Sequence, residues 1–299
     1  MKKKLIVNVR LNEWEMRGPN NNIPYTPDEI AADAYECYQA GANLVHVHAR
    51  GPNGEKSHSP EVYAEITAKI RERCDILIHT TLGNVYLEGD AKDRVKHVEA
   101  AKPDIATIDI GSTNMDKFDR TTMKFDTTKQ LYANTIESCM YFAQIMKDIG
   151  VKPSLGLWSV PFMRTAGVFL DLGLLDSPAL AIIPLSGQDL IAGHDVTPDA
   201  LRAFFHAEPS GDRLQWCVCS KHANIFPVAA VAIAHGQHVA PGLGDYQYPE
   251  LGCPTNAELT RRIVAMARDM DREIATPAEV RQMLNMPAHP PVAAAAAAE

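Results

Sequence analysis

No uninterrupted apolar run in this 299-residue chain approaches the roughly 18 residues that a membrane-spanning helix needs, so a membrane role is not expected. The chain also lacks a basic surface signal. Its net charge is −8 and no Lys/Arg cluster interleaves with aromatics, which argues against nucleic acid as a partner. Lys2-Lys3-Lys4 is too short a basic arm to change that. The apolar run after it is short and broken by Asn8 and Arg10, unlike a secretion signal, so the cytoplasm is the expected compartment. The six cysteines (Cys37, Cys74, Cys139, Cys217, Cys219, Cys253) show no disulfide framework and read as small reduced side chains. Cys217 and Cys219 share one strand face, which suits either a soft-metal or redox pair or plain core packing. No G-x-G-x-x-G follows the first strand-like run, so a dinucleotide fold is disfavoured.

What is present is a hydrophobic content of 46%, enough for a large core, distributed in a strict alternation. Short β-rich runs fall at 5–11, 43–48, 76–79, 105–110, 154–157, 180–185, 214–219 and 238–241, with amphipathic stretches between them. Thr26-Pro27-Asp28-Glu29 opens the first helix as a cap, a first-turn proline and a capping-box glutamate, and Gly41 stops it. Further helices are predicted around 90–101 and, as one long element, from about 128 to 149. Eight strands each followed by a helix point to a (β/α)8 TIM barrel over residues 1–286, against an open doubly wound sheet as the competing layout. The tail 287–299, in which Pro290-Pro291-Val292 is followed by six alanines, is expected to lie outside the fold.

Within Leu44-Val45-His46-Val47-His48-Ala49-Arg50, alternation puts both imidazoles on one strand face. Burying two histidines in an apolar strand is costly unless their ring nitrogens are satisfied, by neighbours or by a divalent metal such as Zn²⁺. Barrel enzymes carry their chemistry at the C-terminal strand ends. That rule nominates Asn12, Glu13 and Glu15 from strand one, and His46, His48 and Arg50 from strand two. It adds His79, Thr80 and Thr81 from strand three, Asp109, Ser112 and Asn114 from strand four, and Asp245 from strand eight. Trp14, which could shape a pocket, and His194 and Asp195 after strand six are further candidates.

These motifs, in this order, resemble the β-keto acid cleavage enzyme family. The likeness rests on Ile23-Pro24-Tyr25-Thr26-Pro27-Asp28-Glu29-Ile30, Ala40-Gly41-Ala42 leading to His46-Val47-His48-Ala49-Arg50, Pro103-Asp104-Ile105-Ala106-Thr107 followed by Gly111-Ser112, and Gly242-Leu243-Gly244-Asp245. It implies Zn²⁺, or another divalent transition metal, on His46 and His48. It also implies a homo-oligomeric acyltransferase that converts a β-keto acid and acetyl-CoA to acetoacetate and a new acyl-CoA. By the same likeness Asp245 is the catalytic residue, and Thr81, Thr107, Ser112 and Asn114 fall at pocket positions. Glu13, Arg50 and Asp109 join them as expected substrate-binding groups, and the added acids suit a cationic keto acid.

The chain departs from the family pattern at four places. Gly244 stands where the family's third metal ligand is a glutamate, and Ala240 where it has an arginine. Pro153-Ser154-Leu155-Gly156-Leu157 stands where the family has an acidic strand-five segment with its catalytic glutamate, and Pro184-Leu185-Ser186-Gly187-Gln188 replaces a glycine-rich turn associated with coenzyme A. The third ligand is therefore open among Glu13, Glu15, His79 and Asp245. The alternative function is a diverged metal-dependent hydrolase, lyase or aldolase that does not use CoA. The candidate interface residues are Leu131, Tyr132, Met140, Tyr141 and Met146.

Overall fold

A computed structural model describes residues 3–13, 15–82, 91–187 and 189–288. Trp14, the start of the helix expected at 90, and residues 289–299 of the tail lie outside the described residues. Eight parallel strands run β1 (Asn8–Arg10), β2 (Leu44–Val47), β3 (Leu77–Thr81), β4 (Ile105–Asp109), β5 (Lys152–Gly156), β6 (Ala179–Ser186), β7 (Leu214–Lys221) and β8 (His238–Val239), in that spatial order. The ring closes where Val7 bridges Val239 and the Val239 amide donates to the Ile6 carbonyl. This is the (β/α)8 barrel.

Helices α1 (Pro27–Gln39), α2 (Pro60–Arg71), α3 (Ala91–Ala101), α4 (Ile136–Asp148), α5 (Val160–Asp171), α6 (Pro198–Ala207), α7 (Phe226–Ala234) and α8 (Asn256–Asp269) wrap the outside. Their starts follow from sequence. Thr26 and Glu29 form the capping box of α1, and Thr255 and Glu258 repeat it at α8. α9 (Pro277–Met283) instead stoppers the N-terminal end of the barrel. Its Val280, with Leu284, packs on the inward apolar residues Ile6, Leu44, Leu77, Ile105 and Leu180. The lower barrel is thus largely apolar, with His238 and Gln215 as a buried polar pair 3.0 Å apart, and the ionisable cluster gathers in the upper layers.

The long helix expected from 128 does not form as such. Leu131–Tyr132 pairs with Thr113–Asn114 in a hairpin, and a second ribbon joins Phe118–Asp119 to Lys124–Phe125. Thr135 then caps α4 with a hydrogen bond from the Ser138 amide. Apolar residues at 131 and 132 satisfied a helical period, but tertiary pairing across the barrel mouth prevails over that local pattern. This excursion after β4 is tied to the loop after β6, because the Phe118 amide donates to the Asp189 carbonyl.

Candidate metal centre and active site

The site grows from the inward residues of the strands. Arg10 pairs in register with His46, and His46 with His79, so β1, β2 and β3 set these side chains at one level. One turn above, Asn12 fixes the end of β2: its carbonyl oxygen accepts from the His48 amide at 2.9 Å, and its amide donates to the His48 carbonyl at 2.9 Å. The two imidazoles converge, with Nε2 atoms 3.0 Å apart. Glu13 reaches between them, Oε1 at 3.1 Å from His46 Nε2 and Oε2 at 3.2 Å from His48 Nε2. All three are buried.

Glu13 gets there through an unusual backbone. It adopts φ +27, and it packs on Gly244 in the loop after β8. A Cβ at 244 would lie 2.5 Å from the Glu13 amide nitrogen and 2.9 Å from the Glu13 Cβ. Glycine at 244 is therefore what admits a glutamate arriving from strand one.

The chemistry of the donor set fits a divalent metal. Two imidazoles and a carboxylate suit Zn²⁺, whose ligand atoms at tetrahedral angles lie roughly 3.3 Å apart, close to the separations here. Burial pushes the pKa of His46 and His48 well below the ordinary histidine value, with the nearby Arg10 charge acting in the same direction. Both rings are thus neutral at physiological pH, the form that ligates. Among the described residues the His46 Nδ1 is buried with no hydrogen-bond partner, and the ring is held by edge contacts with His48 and His79.

His79 is not part of this set. Its Nδ1 lies 3.1 Å from Asn8 Nδ2, and its Nε2 meets Thr107 Oγ1 at 2.5 Å and Ser154 Oγ at 2.9 Å. An amide can only donate to Nδ1, so Nε2 carries the proton and both nitrogens are satisfied. Glu15 turns outward to His222, whose Nε2 is 3.3 Å away, while His222 Nδ1 meets Asp189 at 2.5 Å. Burial opposes protonation of His222, yet the hydrogen bonds to the two carboxylates hold its pKa raised.

Asp245 is buried beside the triad, Oδ2 at 2.7 Å from Arg10 Nε and Oδ1 at 2.8 Å from Lys221 Nζ. Lys221 also stands 3.4 Å from Glu13, and Arg10 forms an ion pair with Glu13. Neither cation was nominated from sequence. The available signal was alternation: Arg10 shares a face with Asn8, and Lys221 with Cys217 and Cys219, on strands that are otherwise apolar. Cys217 and Cys219 themselves are buried inside the barrel, where burial raises both thiol pKa values and leaves them protonated.

A cavity of about 80 Å³ opens onto the triad, lined among others by Arg10, Thr81, Thr107, Asp109, Trp158 and Lys221. Asp109 is held by two neutral donors, Tyr132 Oη at 2.6 Å and Trp158 Nε1 at 2.7 Å. Three expected substrate-binding residues lie elsewhere. Arg50 spends its guanidinium on the carbonyls of Asn12, Glu15 and Gly54, past the end of β2. Ser112 accepts from the Asn134 amide, and it and Asn114 are exposed on the mouth excursion. Beyond Lys221 an outer cleft of about 800 Å³ is lined by Lys117, Arg120, Asp189, Asp195, Thr197 and His222, among others. His194 stays on the loop after β6, its carbonyl accepting from Ser186.

Comparison with known proteins agrees with this architecture. The family model described as beta-keto acid cleavage enzyme matches residues 4–286. A 3-keto-5-aminohexanoate cleavage enzyme of Fusobacterium nucleatum subsp. nucleatum is 29% identical over 96% of this chain and 99% of its own. A 3-dehydrocarnitine:acetyl-CoA trimethylamine transferase of Rhizobium meliloti is 28% identical over 89% of this chain and 91% of its own. Among solved structures, a binary complex of ObcA with oxaloacetate superposes with a TM-score of 0.68 at 14% identity, over 89% of this chain and 68% of that one, a likeness of fold.

Proposed function

Since the chain belongs to the β-keto acid cleavage enzyme family, we propose that it exchanges the acyl group of a β-keto acid with acetyl-CoA, giving acetoacetate and a new acyl-CoA. In that exchange the bond between the keto carbon and the α-carbon of the acid breaks. The α-carbon bonds to the acetyl carbonyl carbon, and the thiol of coenzyme A leaves with the released acyl group. The observation that carries the reading is the convergence of Glu13, His46 and His48 on one buried point beside Asp245.

Glu13, His46 and His48 would hold the divalent ion, with zinc as the proposed resident. When bound, it supplies Lewis acidity toward the keto and carboxylate oxygens of the substrate. Arg10 and Lys221, at the cationic side of the cavity, orient the carboxylate end of the acid, and the Thr81 and Thr107 hydroxyls line its path. Asp245 is the proposed base for the α-proton. Asp245 itself also lines a cleft with Lys221 and His222 outside the inner cavity, and that gives the proton a route to solvent. The outer cleft is the proposed seat of acetyl-CoA, with Lys117 and Arg120 facing phosphate.

Four carboxylates, Asp119, Asp126, Asp189 and Asp195, line the same cleft, and that favours the second reading, a metal-dependent lyase, hydrolase or aldolase without CoA. Acetoacetate formation by metal-loaded protein from acetyl-CoA and a panel of keto acids tests the first reading. Calorimetry with CoA separates the two: no heat of binding together with cleavage of a keto acid selects the second.

We further propose a single barrel domain over 1–286, a cytoplasmic site of action, and a homo-oligomer. Among the described residues no helix is long and apolar enough to cross a membrane. Leu131, Ile136 and Met140 are exposed and offer a self-association face, whereas Tyr132 and Met146, expected there, are buried in the core.

A further inference from the structure

The charges around the inner cavity are unevenly partnered. Arg10 and Lys221 sit at one side and are matched by Glu13 and Asp245. Asp109 sits at the other, only 9% exposed, with no cation within ion-pair distance among the described residues. Both its oxygens accept hydrogen bonds. The Trp158 indole can only donate, and burial together with the Asp109 charge pushes the Tyr132 pKa well up, so that hydroxyl keeps its proton and donates. Two neutral donors satisfy the geometry of a carboxylate without cancelling its charge. A carboxylate has about four lone-pair sites, so two remain for a ligand.

The room for this group is made on the neighbouring strand. Asp109 pairs in register with Gly156, and a Cβ there would lie 2.0 Å from Asp109 Oδ1. Gly156 and Asp109 are thus a matched pair: glycine on β5 is the condition for an acid on β4. An acid set into a substrate cavity in this way has no ion-pair partner of its own, and the one cation that acts on it from farther off, Arg10, is already paired with Glu13 and Asp245, so a cationic ligand supplies the missing direct partner.

We infer that Asp109, framed by Trp158 and Tyr132, selects a β-keto acid whose far end carries an ammonium or quaternary ammonium group. This rests on the proposed β-keto acid chemistry and deepens it. The carboxylate end of the acid meets Arg10 and Lys221, its keto group faces the Glu13–His46–His48 triad, and its cationic end meets Asp109. The β2 and β4 backbones stand two strand spacings apart, roughly 10 Å, and their side chains converge inward, so the tail between keto group and cation is a few carbons long. The Trp158 and Tyr132 rings supply the aromatic wall that such cations favour. A tail ending in a second carboxylate would face Asp109 directly and be refused.

The test uses three β-keto acids of one chain length ending in an ammonium, a methyl or a carboxylate group, with the metal-loaded protein and with Asp109→Asn. In the unaltered protein kcat/KM is expected to fall in that order. In Asp109→Asn the ammonium-to-methyl ratio is expected to drop about 10- to 100-fold, the value of one hydrogen bond to a charged group. A preference for the methyl or carboxylate acid, or a ratio that Asp109→Asn leaves unmoved, overturns the inference while the family reaction stands. If no acid is turned over, the reaction itself is wrong. Calorimetric affinities of the same three acids then decide the inference alone, tighter binding of the ammonium acid upholding it and equal binding refuting it. Should Asp109→Asn fail to fold, Gly156→Ala serves instead. Its methyl group displaces the Asp109 carboxylate, and the ammonium preference must fall with it.

Discussion

Gly244→Ala isolates the relation between the loop after β8 and Glu13, the proposed third ligand. The added Cβ would meet the Glu13 amide nitrogen at 2.5 Å, the Asn12 carbonyl carbon at 2.8 Å and the Glu13 Cβ at 2.9 Å. None of these is the free end of a flexible side chain. Ordinary contact begins at 3.4 Å, so the backbone at Glu13 has to retreat by roughly 0.9 Å. Overpacking of this kind costs about 1–3 kcal/mol. A ligand displaced that far also exceeds the tolerance of about 0.2 Å on metal–ligand distances, so its carboxylate leaves the ion's sphere. The variant should therefore be less stable to denaturant by a few kcal/mol at most, and its zinc affinity should fall by at least about 100-fold, the upper end of what second-sphere changes cause. Chelator competition measures the affinity, and urea unfolding of the metal-free protein measures the stability. Glu13→Gln provides the reference: it should lose the metal without the packing penalty, because nothing at 244 changes. If Gly244→Ala binds zinc as tightly as the unaltered protein, the account of Gly244 as the partner of Glu13 is wrong.

Asp245→Asn should lower kcat by about 10² to 10⁴, the usual worth of a positioned base, while metal content stays at the unaltered level. His79→Ala should cost about 1–3 kcal/mol of stability by leaving Asn8, Thr107 and Ser154 without their partner, yet retain the metal; loss of the ion would show that His79 ligates. The His222 bridge has a defined pH window. A raised His222 pKa contributes stability that is complete below its unfolded value near 6.5 and is lost as pH rises through the folded pKa. The lowered pKa values of Glu15 and Asp189, set by their hydrogen bonds to His222 against the opposing effect of burial, contribute above about 4.5 and are lost as pH falls. The protection factor of amides in the loop carrying Asp189, the intrinsic exchange rate divided by the observed rate at the same pH, should therefore fall above neutral pH, and His222→Gln should lower it at every pH; a protection factor independent of pH in the unaltered protein would refute the bridge.

The barrel was legible because eight short apolar runs alternate with capped helices, and the shared face of His46 and His48 because a strand has a period of two, a pattern that suits a metal or neighbouring hydrogen-bond partners alike. Glu13 was within reach of topology alone, since strand one lies between strands eight and two, but not its choice over Glu15. That choice depends on a backbone at φ +27 and on the bare face of Gly244, neither of which a local pattern carries. Arg10 and Lys221 escaped notice because a single charge in a buried strand looks like an interruption until its partners, Glu13 and Asp245, are seen across the barrel. The link between Gly156 and Asp109 is likewise a register fact, made by two strands some forty-seven positions apart in the chain. The hairpin at 113–132 was hidden by an apolar pair that fits a helix equally well, and with it the way Tyr132 reaches Asp109.

The account depends on one ion held by residues of strands one and two. Diffraction from zinc-loaded crystals on both sides of the zinc absorption edge tests it. A single anomalous peak bonded to Glu13 and to the Nε2 atoms of His46 and His48 is the predicted result. Loaded crystals that show no peak there, with the two imidazoles still hydrogen-bonded ring to ring, would contradict it.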